Sequence, residues 1–557
     1  MRVLSVPVQF AILAGGAALF AVALVHSADV IPQHFTDIAG RSQFSYKTNN
    51  DFRDRKYLAA TMCGGVAAFD FDGDGWVDLY FTNGARIPEM RKTGPEFSHC
   101  LLRNRHDGTF EDVTRRAGLE GKNLGYAIGV AAGDYDNDGH TDLFIATAGR
   151  DALFHNNGDG TFTDVTSGSG LDTKPPDTMS VAAVWFDYDN DGLLDLAVSE
   201  YTLWRPETEF HCTGPGDLGE AYCHPKRYKS VPNRLYHNLG RGKFEDVTER
   251  SGFAKSLGKG MGIVVADFNR DGLMDVFVSN DTERNFLYLN KGDGKFEEVG
   301  LLWGVAYNED GAMISGMGAD AKDYDNDGWP DIFYNDLNSQ IFGLFQNDRG
   351  RAFRDLSVQS GVARLSRRFS GWSNGFIDYD NDGWKDIYSS NGDVDYIGNN
   401  SKQHDTMWRN VGGRSFEDVS GKLGPDFLPL GYHKGSAFAD LNNDGFMDLI
   451  VTALNERPRI LINSGNSNHW LLLDLQGTKS NRDAIGAQVK VTTGAGRTLY
   501  NHVTTSVGFM SSSDRRVHFG LGLEKKIASI EIQWPSGKLQ KLGETAANQI
   551  LRVQEPR

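Results

Sequence analysis

A nine-residue acidic pattern occurs seven times in this 557-residue chain, and no other feature constrains the fold as tightly. In residues 323–331, Asp-Tyr-Asp-Asn-Asp-Gly-Trp-Pro-Asp, oxygen-bearing side chains stand at positions 1, 3, 5 and 9, with glycine at position 6. Side chains at alternate positions of a tight loop converge on one point, glycine permits the reversal, and hard oxygen donors suit Ca²⁺. The predicted ligands of loops 1 to 3 are Asp70, Asp72, Asp74 and Asp78; Asp134, Asp136, Asp138 and Asp142; and Asp187, Asp189, Asp191 and Asp195. Loop 4 offers Asp267, Asn269, Asp271 and Asp275, and loop 5 offers Asp323, Asp325, Asp327 and Asp331. Asp378, Asp380, Asp382 and Asp386 form loop 6; Asp440, Asn442, Asp444 and Asp448 form loop 7.

An EF-hand would close with Glu at position 12, but here that position holds Phe81, Ile145, Val198, Val278, Tyr334, Ser389 and Val451. None binds calcium through its side chain, so the position-9 Asp must complete the shell. A β run such as residues 142–147, Asp-Leu-Phe-Ile-Ala-Thr, follows it, which places the loop in a β-hairpin. Turn chemistry needs one or two Asx or Gly residues and explains a single copy; it does not explain four oxygen side chains at fixed offsets seven times over. Up to seven Ca²⁺ are expected. Asn269 and Asn442 each remove a charge, and Arg270 adds an opposing one, so those loops are expected to bind more weakly.

The motifs recur every 53 to 64 residues, with one interval of 80. A small-residue strand such as residues 64–69 precedes each loop, and a β-branched or aromatic strand follows. Then comes a second hairpin, as in residues 153–166, with Asn, a Gly-rich turn and Phe-x-Asp-Val. Four strands per repeat, arranged around a ring, are the signature of a β-propeller. The expected fold is therefore all-β, a seven-bladed propeller with a small β domain at the C-terminus. The seventh repeat lacks its outer strand, while Phe35-Thr-Asp-Ile matches that strand ahead of the first loop, so the N-terminus is expected to close the ring. The 65 glycines and 39% hydrophobic content agree with short strands and turns. A formal charge of −17 argues against nucleic acid, yet 26 of the 74 acidic residues are loop aspartates. Seven divalent ions would bring the charge to about −3.

Residues 1–28, with Arg2, an apolar run from Val6 to Val25, and Ser27 and Ala28, read as a signal peptide, with an uncleaved anchor as the alternative. The expected location is secreted or periplasmic. Four cysteines in an exported chain suggest two disulfides, Cys212 with Cys223 and Cys63 with Cys100. The rival for His211, Cys212, Cys223 and His224 is a zinc site, but ten residues between the cysteines exceed the usual spacing.

The repeats resemble the FG-GAP/VCBS calcium-propeller family, and the tail resembles the ASPIC/UnbV domain through Ser480-Asn-Arg-Asp-Ala-Ile-Gly-Ala487, His518-Phe-Gly-Leu-Gly522 and Ile532-Gln-Trp-Pro-Ser-Gly537. The whole is similar to the cartilage acidic protein 1 type. Residues 29–465 are then the propeller and 466–557 the tail domain. The resemblance implies a calcium-bearing extracytoplasmic scaffold linked to adhesion or protein interaction, with no defined reaction for most members. The partner expected is an extracellular protein or glycan, with membrane contact only through an uncleaved N-terminal run. Ser511, Ser512, Ser513, Asp514 and His518 lack a nucleophile elbow, and no phosphate-cradling loop or zincin motif is present. The alternative is a hydrolase or lyase acting on an extracellular polymer at the propeller's channel mouth, where catalytic groups from separate blades would converge.

Overall fold

The computed structural model describes residues 33–214, 219–394 and 401–557; the expected leader or anchor lies outside these residues. Among them, no helix is long and apolar enough to cross a membrane.

Each Asp loop joins the two innermost strands of an antiparallel four-stranded unit. In blade 4, Gly260–Ala266 runs to the loop, Asp275–Asn280 returns, and Phe286–Asn290 and Phe296–Glu298 complete the sheet. Five such sheets stand alone, and an eight-stranded sheet holds blades 2 and 3, linked where Met179 pairs with Ala148. That gives seven blades, and the inner strands touch their neighbours all the way round, the seventh against the first. Phe35–Asp37 supplies the outer strand of blade 7, pairing Phe35 with Asn463 and Asp37 with Leu461. Small residues line the axis because backbones meet there: a Cβ on Gly65 would lie 2.4 Å from the Met510 carbonyl, and one on Gly318 would lie 2.5 Å from that of Trp372.

A second device closes the ring. An Asn at the end of each third strand, or one residue before it in blade 6, sends its Nδ2 to the position-2 carbonyl of the preceding blade's Asp loop. The bonds are Asn104 to Leu441, Asn156 to Phe71, Asn238 to Tyr135, Asn290 to Tyr188, Asn347 to Phe268, Asn410 to Tyr324 and Asn463 to Tyr379, all at 2.7–3.0 Å. These asparagines are buried, so each bond is shielded from water.

The tail forms two small sheets. His469–Gln476 pairs with Val517–Gly522 and, in parallel, with Gln549–Gln554; Gln488–Thr493 lies between Thr498–His502 and Lys526–Gln533. Its apolar residues, including Leu473, Val491 and Trp534, share one buried cluster with Trp185, Val265 and Met274 of the propeller. Cys212 and Cys223 form the expected disulfide, which removes the zinc alternative. The expected Cys63–Cys100 bond does not form, and both thiols are buried and free. The reason is packing: Cys63 sits in the apolar cluster around Met62 and Met510, whereas Cys100, paired with Phe81 on blade 1, faces a different cluster with Tyr46 and Ile460.

Candidate functional site

The seven Asp loops lie at one end of the blades and share one internal geometry. The position-1 carboxylate accepts the N–H of the position-6 glycine at 2.7–3.0 Å in every loop, which holds the reversal shut. The position-9 carboxylate, almost fully buried, accepts the position-2 N–H through Oδ2 at 2.9–3.3 Å. Its Oδ1 accepts the N–H of the ring asparagine, as from Asn347 to Asp331 at 2.8 Å. Backbone donors thus fix positions 1 and 9, and the position-5 carboxylate likewise accepts the position-7 N–H in every loop.

Ligand atoms of Asp70, Asp72 and Asp74, of Asp134, Asp136 and Asp138, and of Asp187, Asp189 and Asp195 each lie within 4.8 Å of one another. Asp72 Oδ1 and Asp136 Oδ1 are buried without a hydrogen-bond partner. Burial, reinforced by neighbouring carboxylates, pushes Asp78, Asp275, Asp331, Asp386 and Asp448 well above the usual carboxylate range. Asp134 and Asp187 rise to about 8 for the same reasons. A cluster of crowded carboxylates with orphaned oxygens fits a hard cation. The loops are not equivalent, however. Arg103 enters loop 1, 2.6 Å from Asp72 and 3.3 Å from Asp74, and Arg409 enters loop 6, 2.7 Å from Asp380 and 2.6 Å from Asp382. In loops 4 and 7, Asn269 and Asn442 hydrogen-bond to Asp271 and Asp444 at 2.9 Å. Arg270 turns away from its loop and lies 4.7 Å from the ring centre of Trp329 on the next blade.

The tail covers this same end and touches all seven loops. Arg552 reaches Gly75 of loop 1, and Lys479 packs against Gly192 of loop 3. In loop 2, Asp134 N–H donates to Asp483 and Arg482 N–H donates to Asn137, both at 2.8 Å. Gln488 bonds Asp267 of loop 4 at 3.0 Å, and Tyr500 N–H donates to Asn326 of loop 5 at 3.3 Å. Gly522 N–H meets the Asn381 carbonyl of loop 6 at 2.7 Å, and Arg516 donates to Asn443 and to the Asp440 carbonyl of loop 7. The segment 481–484 is thus a docking element. A cleft of about 490 Å³ remains between tail and propeller, lined by Asp134, Asp474, Arg482, Asp483, Arg515 and Arg552.

Between two tail strands, residues 503–516 enter the propeller's axis. Ser512 exchanges backbone bonds with Val66 and Ala68, and Gly508 with Ala319; Met510 accepts from Val130, and Asp514 donates to Phe438. Ser506 Oγ donates to Ile263 at 2.8 Å, and Phe509 N–H donates to Ser373 Oγ at 3.0 Å. Six blades therefore bond to this plug. Ser511, Ser512 and Ser513 all serve it, and their hydroxyls meet inner-strand groups of Val66, Ala132 and Phe438. The serines that suggest a nucleophile set in sequence are thus plug residues, and the plug's only sequence signal is a run of small polar residues between two strands.

The FG-GAP-like repeat family matches residues 98–145, 134–198, 227–278, 267–334, 323–389 and 388–451, and the ASPIC and UnbV family matches residues 477–557. Cartilage acidic protein 1 of Xenopus tropicalis is 28% identical over 459 residues, 78% of this chain and 65% of that protein. The Homo sapiens protein of that name is 26% identical over 506 residues, 81% of this chain and 71% of its own length. The match thus spans just under two thirds of the frog relative. Among solved structures, an Agrocybe aegerita lectin described as recognising non-reducing terminal N-acetylglucosamine is 16% identical with a TM-score of 0.40, covering 66% of this chain and 85% of the lectin. An exotype rhamnogalacturonan lyase is 12% identical with a TM-score of 0.38, covering 72% of each chain. Neither likeness is close enough to carry an argument. The matched repeats, the ring of Asp loops and the docked tail agree on one conclusion: the chain belongs to the FG-GAP-like repeat family and carries a C-terminal ASPIC and UnbV domain.

Proposed function

We propose that the protein is an exported, calcium-bearing propeller scaffold that binds an extracellular protein or glycan and has no catalysis of its own. The observation that supports this most is the plug. A channel whose inner strands are hydrogen-bonded to residues 503–516 leaves no room at the axis for a polymer substrate. Calcium would be held by the loop carboxylates, where it would neutralise charges that otherwise repel across a few ångströms. Arginine from the third strand enters the carboxylates of loops 1 and 6, whereas loops 4, 5 and 7 have Leu289, Gln346 and Ile462 at that place. The disulfide supports an oxidising location.

The alternative, a hydrolase or lyase at a channel mouth, keeps one foothold at the end away from the tail. There Tyr201 donates to buried Asp281 at 2.6 Å, and Asp281 and Asp336 each keep a buried oxygen without a partner.

The test is thermal unfolding in excess Ca²⁺ and in EGTA, with bound calcium counted by elemental analysis. Several ions per chain and a large fall in the transition with EGTA are expected; no bound calcium and no shift would end the calcium reading. Polymer degradation by the wild-type protein that is lost in D281N would overturn the non-catalytic part.

A further inference from the structure

One residue before each ring asparagine, the third strand presents a side chain to the Asp loop, and that residue changes from blade to blade: Arg103, His155, His237, Leu289, Gln346, Arg409 and Ile462. In blade 2, His155 Nδ1 lies 3.3 Å from Asp142 Oδ1 and 3.4 Å from Asp136 Oδ2. This nitrogen is buried and has no hydrogen-bond partner, and neither has Asp136 Oδ1 beside it. In blade 3, His237 Nδ1 lies 3.1 Å from Asp195 Oδ1 and 3.7 Å from Asp189 Oδ2. Ligand atoms of Asp136, Asp142 and His155, and likewise of Asp189, Asp191 and His237, fall within 4.8 Å of one another. Tyr135 and Tyr188 hold the two imidazoles, with ring centres 6.3 and 5.6 Å away.

Two properties of this arrangement matter. The first is spacing: ligands on an ion with bonds of roughly 2.0–2.1 Å stand about 3.3–3.4 Å apart along a tetrahedral edge, which the His155 distances match. The second is donor type. Calcium takes oxygen ligands, whereas imidazole nitrogen suits zinc and its neighbours in the transition series. Arginine in the same slot of blades 1 and 6 can only act as a counter-charge, because guanidinium has no lone pair to offer. Histidine can coordinate.

We propose that loops 2 and 3 are mixed nitrogen–oxygen sites for a divalent transition metal of the zinc class, with His155 and His237 as ligands beside Asp136, Asp142, Asp189 and Asp195. This rests on reading the loops as cation sites, and it divides them by chemistry: two for a borderline metal, the others for a hard one.

The experiment is titration of the chelator-stripped full chain with Co²⁺ in excess Ca²⁺, read by the visible d–d absorption of the bound ion. The wild type is expected to keep about two Co²⁺ per chain, displaceable by Zn²⁺. H155Q and H237Q should each lose about half the band, and the double variant all of it, with the bound calcium unchanged. Removal of Co²⁺ by Ca²⁺, or a double variant that retains the band, would reduce the histidines to counter-charges and overturn the proposal. Elemental analysis of the same samples separates the two readings: absence of calcium with the Co²⁺ band intact refutes only the calcium assignment. If a variant fails to fold, the band of the wild-type protein decides: the intense absorption of a four-coordinate ion is expected, and the weak band of a six-coordinate all-oxygen site would overturn the proposal.

Discussion

Truncation of the plug tip, Phe509→Ala, tests whether the tail and propeller are one cooperative body. Phe509 is fully buried, its ring 5.3 Å from that of Trp372, whose other neighbour is the Lys434 ammonium 2.9 Å from the ring centre. Burying an aromatic side chain removes roughly 150–250 Å² from water, worth about 4–6 kcal/mol at ~25 cal/mol/Å² as an upper bound. Large-to-small core substitutions of this kind cost about 3–5 kcal/mol, so a loss of about 4 kcal/mol is expected. The shift in melting temperature then depends on how much chain unfolds together. For the whole unit, about 525 residues, the unfolding entropy is ~1.1 kcal/mol/K and the transition should fall by only about 4 °C. If residues 466–557 unfolded alone, the entropy would be near ~0.2 kcal/mol/K and a separate transition would drop by about 20 °C. Differential scanning calorimetry distinguishes the two cases. A single transition lowered by a few degrees is expected; a change below about 1 °C, or a split transition, would refute the account of the plug as a shared core element.

The ring asparagines make a second prediction. Asn238→Ala leaves the Tyr135 and Leu194 carbonyls, each now 2.8 Å from Nδ2, without their donor, and should cost about 2–4 kcal/mol in denaturant unfolding. An equal substitution at the exposed Asn157 should cost under about 0.5 kcal/mol. Glu555 gives the pH dependence. Burial would raise its carboxyl, but the Ser536 hydroxyl and the N–H groups of Thr478, Ser480 and Lys479 hold it at about 2. Its contribution is therefore present above the ordinary Glu value near ~4.3 and is lost as pH falls toward 2. E555Q should be less stable than the wild type at pH 7, and the gap should close in acid; a gap independent of pH would sink this reading.

Local pattern made much of this architecture legible. Each Asp loop announces its own hairpin, because position-1 and position-9 carboxylates need partners only within the loop and the adjoining strand. The closing strand was legible too, since residues 35–38 repeat the outer-strand pattern and blade 7 lacks it. What failed to show in sequence depends on contacts between distant segments. Residues 503–516 carry no periodic signal because their backbone bonds to five different blades and the Ser506 hydroxyl to a sixth, so no single partner strand dictates their side chains. The ring asparagines were visible as letters, but their bond runs to a neighbouring blade 79 to 337 residues away for reasons of curvature. Cysteine count alone does not show that Cys63 and Cys100 stay apart, because the packing of each into a different apolar cluster decides it. The slot occupied by Arg103, His155 and their equivalents is not legible in sequence because it lies thirteen or more residues beyond the loop it serves.

The docked tail also divides the molecule by its tolerance for change. At the end it covers, every blade offers a loop of fixed length to a common surface, so an insertion in one loop would lift the tail from all seven. At the opposite end the connections between second and third strands vary freely, from three residues in blade 2 to the thirty that hold the Cys212–Cys223 hairpin in blade 3. Lineages that acquire new partners should do so by lengthening those connections, and the covered end should drift only one side chain at a time.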